Sequence, residues 1–121
     1  MAKYFKAKEF KACTPPCDIS QMDAGFLALL DRVRERAGIP MVMNSAYRSR
    51  EWEIAHGRSG EGDHESGEGV DVRCRTSANR YKIVKAALEE GVPRIGIAKT
   101  YIHLGQRASL PQGVIWDYYD E

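Results

Sequence analysis

The segment from Gly57 to Gly69 constrains the fold most strongly, because it holds five glycines and no apolar side chain. Such a segment can form neither the buried stripe of a helix nor the buried face of a strand. The core must therefore be built from the residues on either side of it. A connection of this length inside a compact domain is usually either functional or disordered.

Length and charge limit the class of protein. The chain has 121 residues, and we expect residues 1–121 to form a single domain. Its 18 basic and 17 acidic side chains nearly cancel, so charge indicates neither a nucleic-acid partner nor an anionic membrane surface. No apolar run approaches about 20 residues, and the first ten residues lack a secretory apolar core. We expect a monomer, made in the cytoplasm without a signal peptide and without a membrane partner.

Three cysteines, Cys13, Cys17 and Cys74, are too few for a cysteine-only zinc site and cannot all pair in disulfides. We expect buried or tolerated thiols. A bridge from Cys17 to Cys13 or to Cys74 stays open for an oxidising compartment.

Before the glycine-rich segment, the pattern predicts two helices and a strand. Apolar side chains recur at helical spacing from Met22 to Ala37, and Ser20 with Asp23 resembles a capping pair. Residues 41–45 have the composition of a short strand, and residues 49–56 that of a brief helix.

After that segment, Val70 to Cys74 alternates as a half-buried strand does, which places Asp71 on the face away from the core. Ser77 would cap a second helix, whose predicted buried stripe is Tyr81, Val84, Ala87 and Leu88. Further strands are predicted over residues 94–98, 101–104 and 114–118. In the second of them His103 lies opposite the apolar face, so Asp71 and His103 can project from one side of one sheet.

His64, Asp71 and His103 are residue types that bind zinc, because neutral imidazoles and a carboxylate are suitable ligands. Three protein ligands leave the fourth tetrahedral position to a water whose pKa the metal lowers to about 7, which is a catalytic type of site. The spacing alone is a weak signal. A single strand histidine is more often a surface or hydrogen-bonded residue, and an acidic glycine-rich loop is more often simply flexible.

Four sequence blocks carry a family resemblance, at residues 4–10, 38–53, 62–72 and 94–105. Together they resemble the peptidoglycan-cleaving zinc peptidases, which include D-Ala-D-Ala carboxypeptidases and phage L-alanyl-D-glutamate endolysins and share a fold with hedgehog signalling domains. The family pattern of a His, a Gly three positions later and an Asp seven positions later is met by His64, Gly67 and Asp71. Its second His is met by His103. The short loop and the end of the chain are most similar to small phage or prophage members.

The resemblance implies an α+β fold with an antiparallel sheet of about four strands and helices packed on it. It implies that His64, Asp71 and His103 bind one zinc ion. It also implies that Arg48, within Tyr47-Arg48-Ser49, binds a substrate carboxylate or polarises the scissile carbonyl, for which a permanently charged guanidinium is suited. The alternative for Arg48 is an ordinary surface ion pair.

The sequence departs from the family at the acidic residue that turnover requires. Relatives place it three positions before the second His or two positions after it, and here those positions hold Thr100 and Gly105. The general base is therefore unidentified, and the acidic candidates are Glu61, Asp63 and Glu65 in the loop and Glu53 on the helix after Arg48. The alternative for the loop carboxylates is that they are solvated charges.

The function that the resemblance implies is a zinc metallopeptidase acting on peptidoglycan. It would cleave the peptide part, as a carboxypeptidase or an endolysin-type endopeptidase, with metal-bound water as the nucleophile. Its partners would be peptidoglycan stem peptides, and it would act at the cell wall or in the periplasm after phage-type release. Two alternatives stay open: a non-catalytic, zinc-containing module that binds cell-wall peptides, and a metal-free structural or tail-associated protein.

Overall fold

A computed structural model describes residues 3–118. The helices are α1 (Ala7–Lys11), α2 (Ala24–Ala37), α3 (Arg50–Ala55) and α4 (Ser77–Glu89), with a 3-10 turn at Ile19–Gln21. The strands are β1 (Met43–Ser45), β2 (Gly69–Arg73), β3 (Arg94–Ile97), β4 (Tyr101–Gly105) and β5 (Val114–Asp117). Within residues 3–118, no helix has the length and apolar character needed to cross a membrane.

The five strands form one sheet in the order β1-β2-β4-β3-β5. The α+β fold is confirmed, but the sheet differs from the expected one in two ways. All five strands that the residue pattern predicts are present, one more than the resemblance implies, and β5 pairs with β3 in parallel whereas the other pairs are antiparallel. The reason is that β4 ends beside the start of β3, where Gly105 pairs with Arg94. The connection to Val114 stays at that end, so β5 begins where β3 begins and runs in the same direction.

Helix α2 follows the predicted apolar pattern and buries Phe26, Leu30 and Val33 in the core. Its first residue is set by Asp23, whose Oδ2 accepts a hydrogen bond from the Phe26 backbone N–H at 2.8 Å. The expected cap at Ser20 is wrong, because Ser20 lies in the preceding 3-10 turn.

Helix α4 is rotated relative to the prediction. Tyr81 and Leu88 were expected in its buried stripe but are 67% and 53% exposed. Ala87 is buried and Val84 packs against the core, as predicted, and the other buried residues are Ile83 and Ala86. The periodicity of α4 is ambiguous because apolar side chains occur on two faces. Packing against both α2 and β4 buries the face with the two alanines, whose small side chains allow close approach. Its cap is Thr76 and not Ser77.

The polar segment before β2 is attached by backbone hydrogen bonds instead of apolar side chains. The carbonyl of Gly67 accepts from the Asp23 N–H at 2.9 Å, and that of His64 accepts from the Arg48 N–H at 3.2 Å. The alternative that the loop carboxylates are solvated charges is correct for Glu61, which is exposed. It is wrong for Asp63, which is buried. The loop therefore lies on the sheet as part of the fold.

The three cysteines are free thiols, and all three are buried, as expected of residues that serve packing.

Candidate metal centre

Three side chains from separate parts of the fold meet on the sheet face away from the main core. His64 comes from the polar loop, Asp71 from β2 and His103 from β4, where it is the register partner of Asp71. Asp71 Oδ1 lies 3.3 Å from His64 Nε2 and 3.1 Å from His103 Nδ1. One potential ligand atom from each residue lies within 4.8 Å of the other two. The expectation that Asp71 and His103 share a face is confirmed, and the loop adds His64.

The His64 ring is oriented for metal binding. Its Nδ1 lies 2.6 Å from the carbonyl oxygen of Ala46. A carbonyl only accepts, so Nδ1 carries the proton of the neutral ring and Nε2 carries its lone pair. That Nε2 atom is buried and has no hydrogen-bond partner among residues 3–118. It faces the Asp71 carboxylate, which is also an acceptor, so a cation between them would relieve an otherwise costly arrangement.

The His103 ring is held from the opposite side. Its Nε2 lies 2.8 Å from Asp63 Oδ2, and its Nδ1 faces Asp71. Burial alone lowers the pKa of His103, but the hydrogen bonds to Asp63 and Asp71 outweigh it and raise that pKa. Burial likewise raises the pKa of Asp71, but the charge of each histidine in its protonated form and the hydrogen bond from His103 outweigh it, so the net pKa is well below its usual range.

This donor set suits zinc. Two imidazole nitrogens and one carboxylate oxygen are the three-ligand arrangement that leaves a coordination position open. The three residues also line a cavity of about 230 Å³, so that position has access to a ligand. The geometry can therefore hold a metal ion that faces the cavity.

Arg48 lies beside this cluster and is not a surface ion pair. Its guanidinium donates from Nε to Glu53 Oε1 at 2.7 Å and from Nη1 to Ser45 Oγ at 3.3 Å. Nη1 also lies 3.5 Å from Asp71 Oδ2. Arg48 lines the cavity. It can thus hold Asp71 in place and still face a bound molecule.

The acidic candidates have different positions. Glu53 is buried, lines the cavity, and its Oε2 has no hydrogen-bond partner among the described residues, although Arg58 Nε lies 3.5 Å away. Glu65 pairs with Arg107 at 2.7 Å and Glu61 with Arg50 at 3.7 Å. Neither is part of the cavity wall that residues 3–118 form.

Asp63 also lines the cavity, but its carboxylate contacts His103 Nε2, the nitrogen directed away from Asp71. Thr100 is exposed in the connection between β3 and β4, and Gly105 directly faces Asp63.

A model of the family described as peptidase M15 matches residues 3–105, which include the whole cluster and Arg48. The chain belongs to the peptidase M15 family. M15 peptidases are zinc-dependent, in agreement with the donor set. No curated protein and no solved structure matches the chain. The resemblance seen in the sequence is therefore confirmed at the level of the M15 family.

Arg94 and Trp116 lie beside the cluster and were not identified as site residues from the sequence. The Arg94 guanidinium lies 5.0 Å above the Trp116 ring, and that ring lies 5.5 Å from the His103 ring. Both residues line the cavity. Alternation in β3 could have indicated Arg94, because Gly96 pairs with His103 and Arg94 lies two residues earlier on the same face. Trp116 lies beyond the matched residues, and its position depends on the parallel pairing of β5.

Proposed function

We propose that this chain is a zinc-dependent peptidase that binds its metal through His64, Asp71 and His103 and cleaves the peptide part of bacterial peptidoglycan. The observation that carries the proposal is the buried lone pair of His64 Nε2 opposite the Asp71 carboxylate, in a chain of a zinc-dependent peptidase family. Zinc, when bound, supplies a Lewis acid that activates water and polarises a carbonyl. The substrate class is inferred from the resemblance to peptidoglycan-cleaving members.

Arg48 is proposed to bind the substrate carbonyl or carboxylate. It is permanently charged, lines the cavity and is fixed on one side by Glu53 and on the other by Ser45. A guanidinium held in this way needs little further ordering when substrate binds, which favours productive orientation.

Glu53 is proposed as the group that moves the proton during turnover. Of the acidic candidates, it combines a place in the cavity wall with an oxygen that is free of hydrogen bonds within residues 3–118. Asp63 is less suitable because His103, Arg94 and the Arg107 backbone occupy its oxygens. Glu65 is less suitable because Arg107 pairs with it away from the cavity wall.

The second candidate function is a zinc-containing module that binds cell-wall peptides without cutting them. The ion pairs of Glu53 with Arg48 and of Asp63 with Arg94 favour it, because a carboxylate paired with a guanidinium is a weak base. In both cases the partners would be peptidoglycan stem peptides. That the protein is a monomer and that it reaches the wall by phage-type release stay predictions.

The first experiment measures zinc content after dialysis and the release of new amino groups from purified cell walls. We expect one zinc ion per chain and amine release for the unaltered protein, and loss of both in His64→Ala and Asp71→Ala. His56→Ala is the matched control, because this histidine is exposed and stacks on Trp52, 3.7 Å away. A protein that retains no zinc at neutral pH would overturn the proposal.

A second experiment separates the two candidate functions with Glu53→Gln, which keeps the size of the side chain. The peptidase predicts that amine release falls by about 10²-fold or more while zinc content and wall binding persist. Wall binding by the unaltered protein without any amine release would favour the binding module. Mass spectrometry of the released fragments would identify the bond that is cut.

A further inference from the structure

Two glycines make room for the carboxylate of Asp63. Gly69 of β2 and Gly105 of β4 are register partners on adjacent strands. A Cβ atom on Gly105 would overlap Asp63 Cγ and Oδ2, and one on Gly69 would lie 2.6 Å from Asp63 Cβ. The loop residue thus fills the space that side chains at two sheet positions would otherwise occupy.

Asp63 is held there by three donors. Its side chain is 2% exposed, and it accepts hydrogen bonds from His103 Nε2 at 2.8 Å, Arg94 Nε at 2.9 Å and the Arg107 backbone N–H at 3.0 Å. A carboxylate has only acceptor sites, so these contacts define its orientation. Its position is therefore built by the fold and is not a solvated loop conformation.

The contact with His103 decides which ring nitrogen can bind a metal. When Nε2 donates its proton to Asp63, the lone pair of the neutral ring lies on Nδ1, which faces Asp71. We propose that Asp63 is a positioning residue of the metal centre, which selects the tautomer and the orientation of the His103 ring. This inference rests on the proposed zinc function.

The other histidine shows why Asp63 is the residue to alter. His64 is oriented in the same way, but its outer partner is the main-chain carbonyl of Ala46, which substitution cannot remove. Outer partners of this kind typically change metal affinity by about 10- to 100-fold. The contribution of such outer partners to zinc affinity can thus be measured by altering one side chain, that of Asp63.

The test measures zinc affinity by competition with a chromophoric chelator, and the cobalt(II) absorption spectrum, on the full chain. We expect Asp63→Ala to weaken zinc affinity about 10- to 100-fold and to alter the cobalt spectrum. Asp63→Asn, which keeps the shape of the side chain, should have a zinc affinity between those of the unaltered protein and Asp63→Ala. Glu65→Gln is the matched control, because Glu65 is in the same loop and pairs with Arg107 without contacting His103.

Gly105→Ala tests the position of the carboxylate independently. Its added Cβ should displace Asp63 and weaken zinc affinity, and this effect should largely disappear in the Asp63→Ala background, where the space is empty. Long-range ¹H–¹⁵N spectra of the zinc-loaded protein should show the His103 proton on Nε2, with this signature lost in Asp63→Ala.

The proposed positioning role and the proposed function fail in different ways. If the unaltered protein binds zinc and both Asp63→Asn and Asp63→Ala bind it equally well, the positioning role is overturned. An equal effect of Gly105→Ala in both backgrounds would also overturn it. If Asp63→Ala does not fold, a His103 proton found on Nδ1 in the zinc-loaded unaltered protein still overturns it. If the unaltered protein binds no zinc, the proposed function itself fails.

Discussion

Gly67 holds the polar loop against the start of α2, and it does so because it has no side chain. Its φ of +74° is in the left-handed region, and an added Cβ would overlap the carbonyl oxygen of Gln21. Its own carbonyl accepts from the Asp23 N–H, next to the cap of α2. The glycine within the His64 motif is therefore required by backbone geometry and close packing together.

Gly67→Ala and Gly57→Ala separate these two requirements. Gly57 has a similar φ of +80°, but an added Cβ would contact nothing within 4 Å in the described part of the chain. Gly57→Ala should lower the free energy of unfolding by about 1–2 kcal/mol through backbone strain alone. Gly67→Ala should cost about 1–3 kcal/mol more because of the overlap. Urea denaturation of both variants checks this, and equal losses would contradict it.

Cys13 is the thiol whose chemistry the fold changes most clearly. Burial, with a smaller contribution from the nearby Cys17, raises its pKa to about 12. The thiolate is the reactive form and would appear only as the pH approaches that value. Cys13 should therefore resist iodoacetamide at pH 8 in the native protein and react rapidly in urea, as measured by peptide mass spectrometry. Rapid native labelling of Cys13 would show that its site opens readily.

At the scale of elements, α4 shows how packing selects between two apolar faces of one helix. Ile83 is 1% exposed and lies in the core with Ala86 and Ala87 of the same helix, whereas Leu88 is 53% exposed. The two residues have side chains of the same size, so burial is the main difference between them.

Ile83→Ala and Leu88→Ala form a matched pair. We expect Ile83→Ala to lower the free energy of unfolding by about 2–4 kcal/mol, because it leaves a cavity in the core. Leu88→Ala should change it by about 0.5 kcal/mol or less. Chemical denaturation measures both, and similar losses would mean that the exposed face of α4 is covered in solution.

At the scale of the whole molecule, the candidate metal centre connects parts of the chain that are distant in sequence. A metal ion bound by His64, Asp71 and His103 would join the polar loop to β2 and β4, and the unfolded chain would not present the same site. Binding to the native state alone stabilises it by mass action, by about 2.7 kcal/mol when free zinc is 100 times Kd.

Zinc should therefore raise the Tm of the unaltered protein, and the rise should grow with the logarithm of the zinc concentration. A chelator should reverse it. His64→Ala should show no rise, whereas His56→Ala should behave like the unaltered protein. Differential scanning calorimetry makes the comparison, and a Tm that is insensitive to zinc would contradict specific binding to the native state.

Much of the fold could be predicted because its determinants are local. The apolar period of α2 and the alternation in β2 and β4 depend on neighbouring residues only, so the shared face of Asp71 and His103 followed from the sequence. The α4 face and the parallel pairing of β5 could not be predicted in this way. They depend on which other elements pack against them, and that is not encoded within the helix or the strand.

The same division holds for the site. In the sequence, ligand chemistry and strand alternation are only a weak signal for His64, Asp71 and His103, and the resemblance to the peptidase family is what makes them a coherent ligand set; metal binding itself stays a prediction. Only the tertiary structure decided which charged side chains around them are buried and paired. Asp63 is buried because Arg94 and Arg107 arrive from distant positions and two glycines leave space. Burial of a charge depends on partners that only the complete fold brings together.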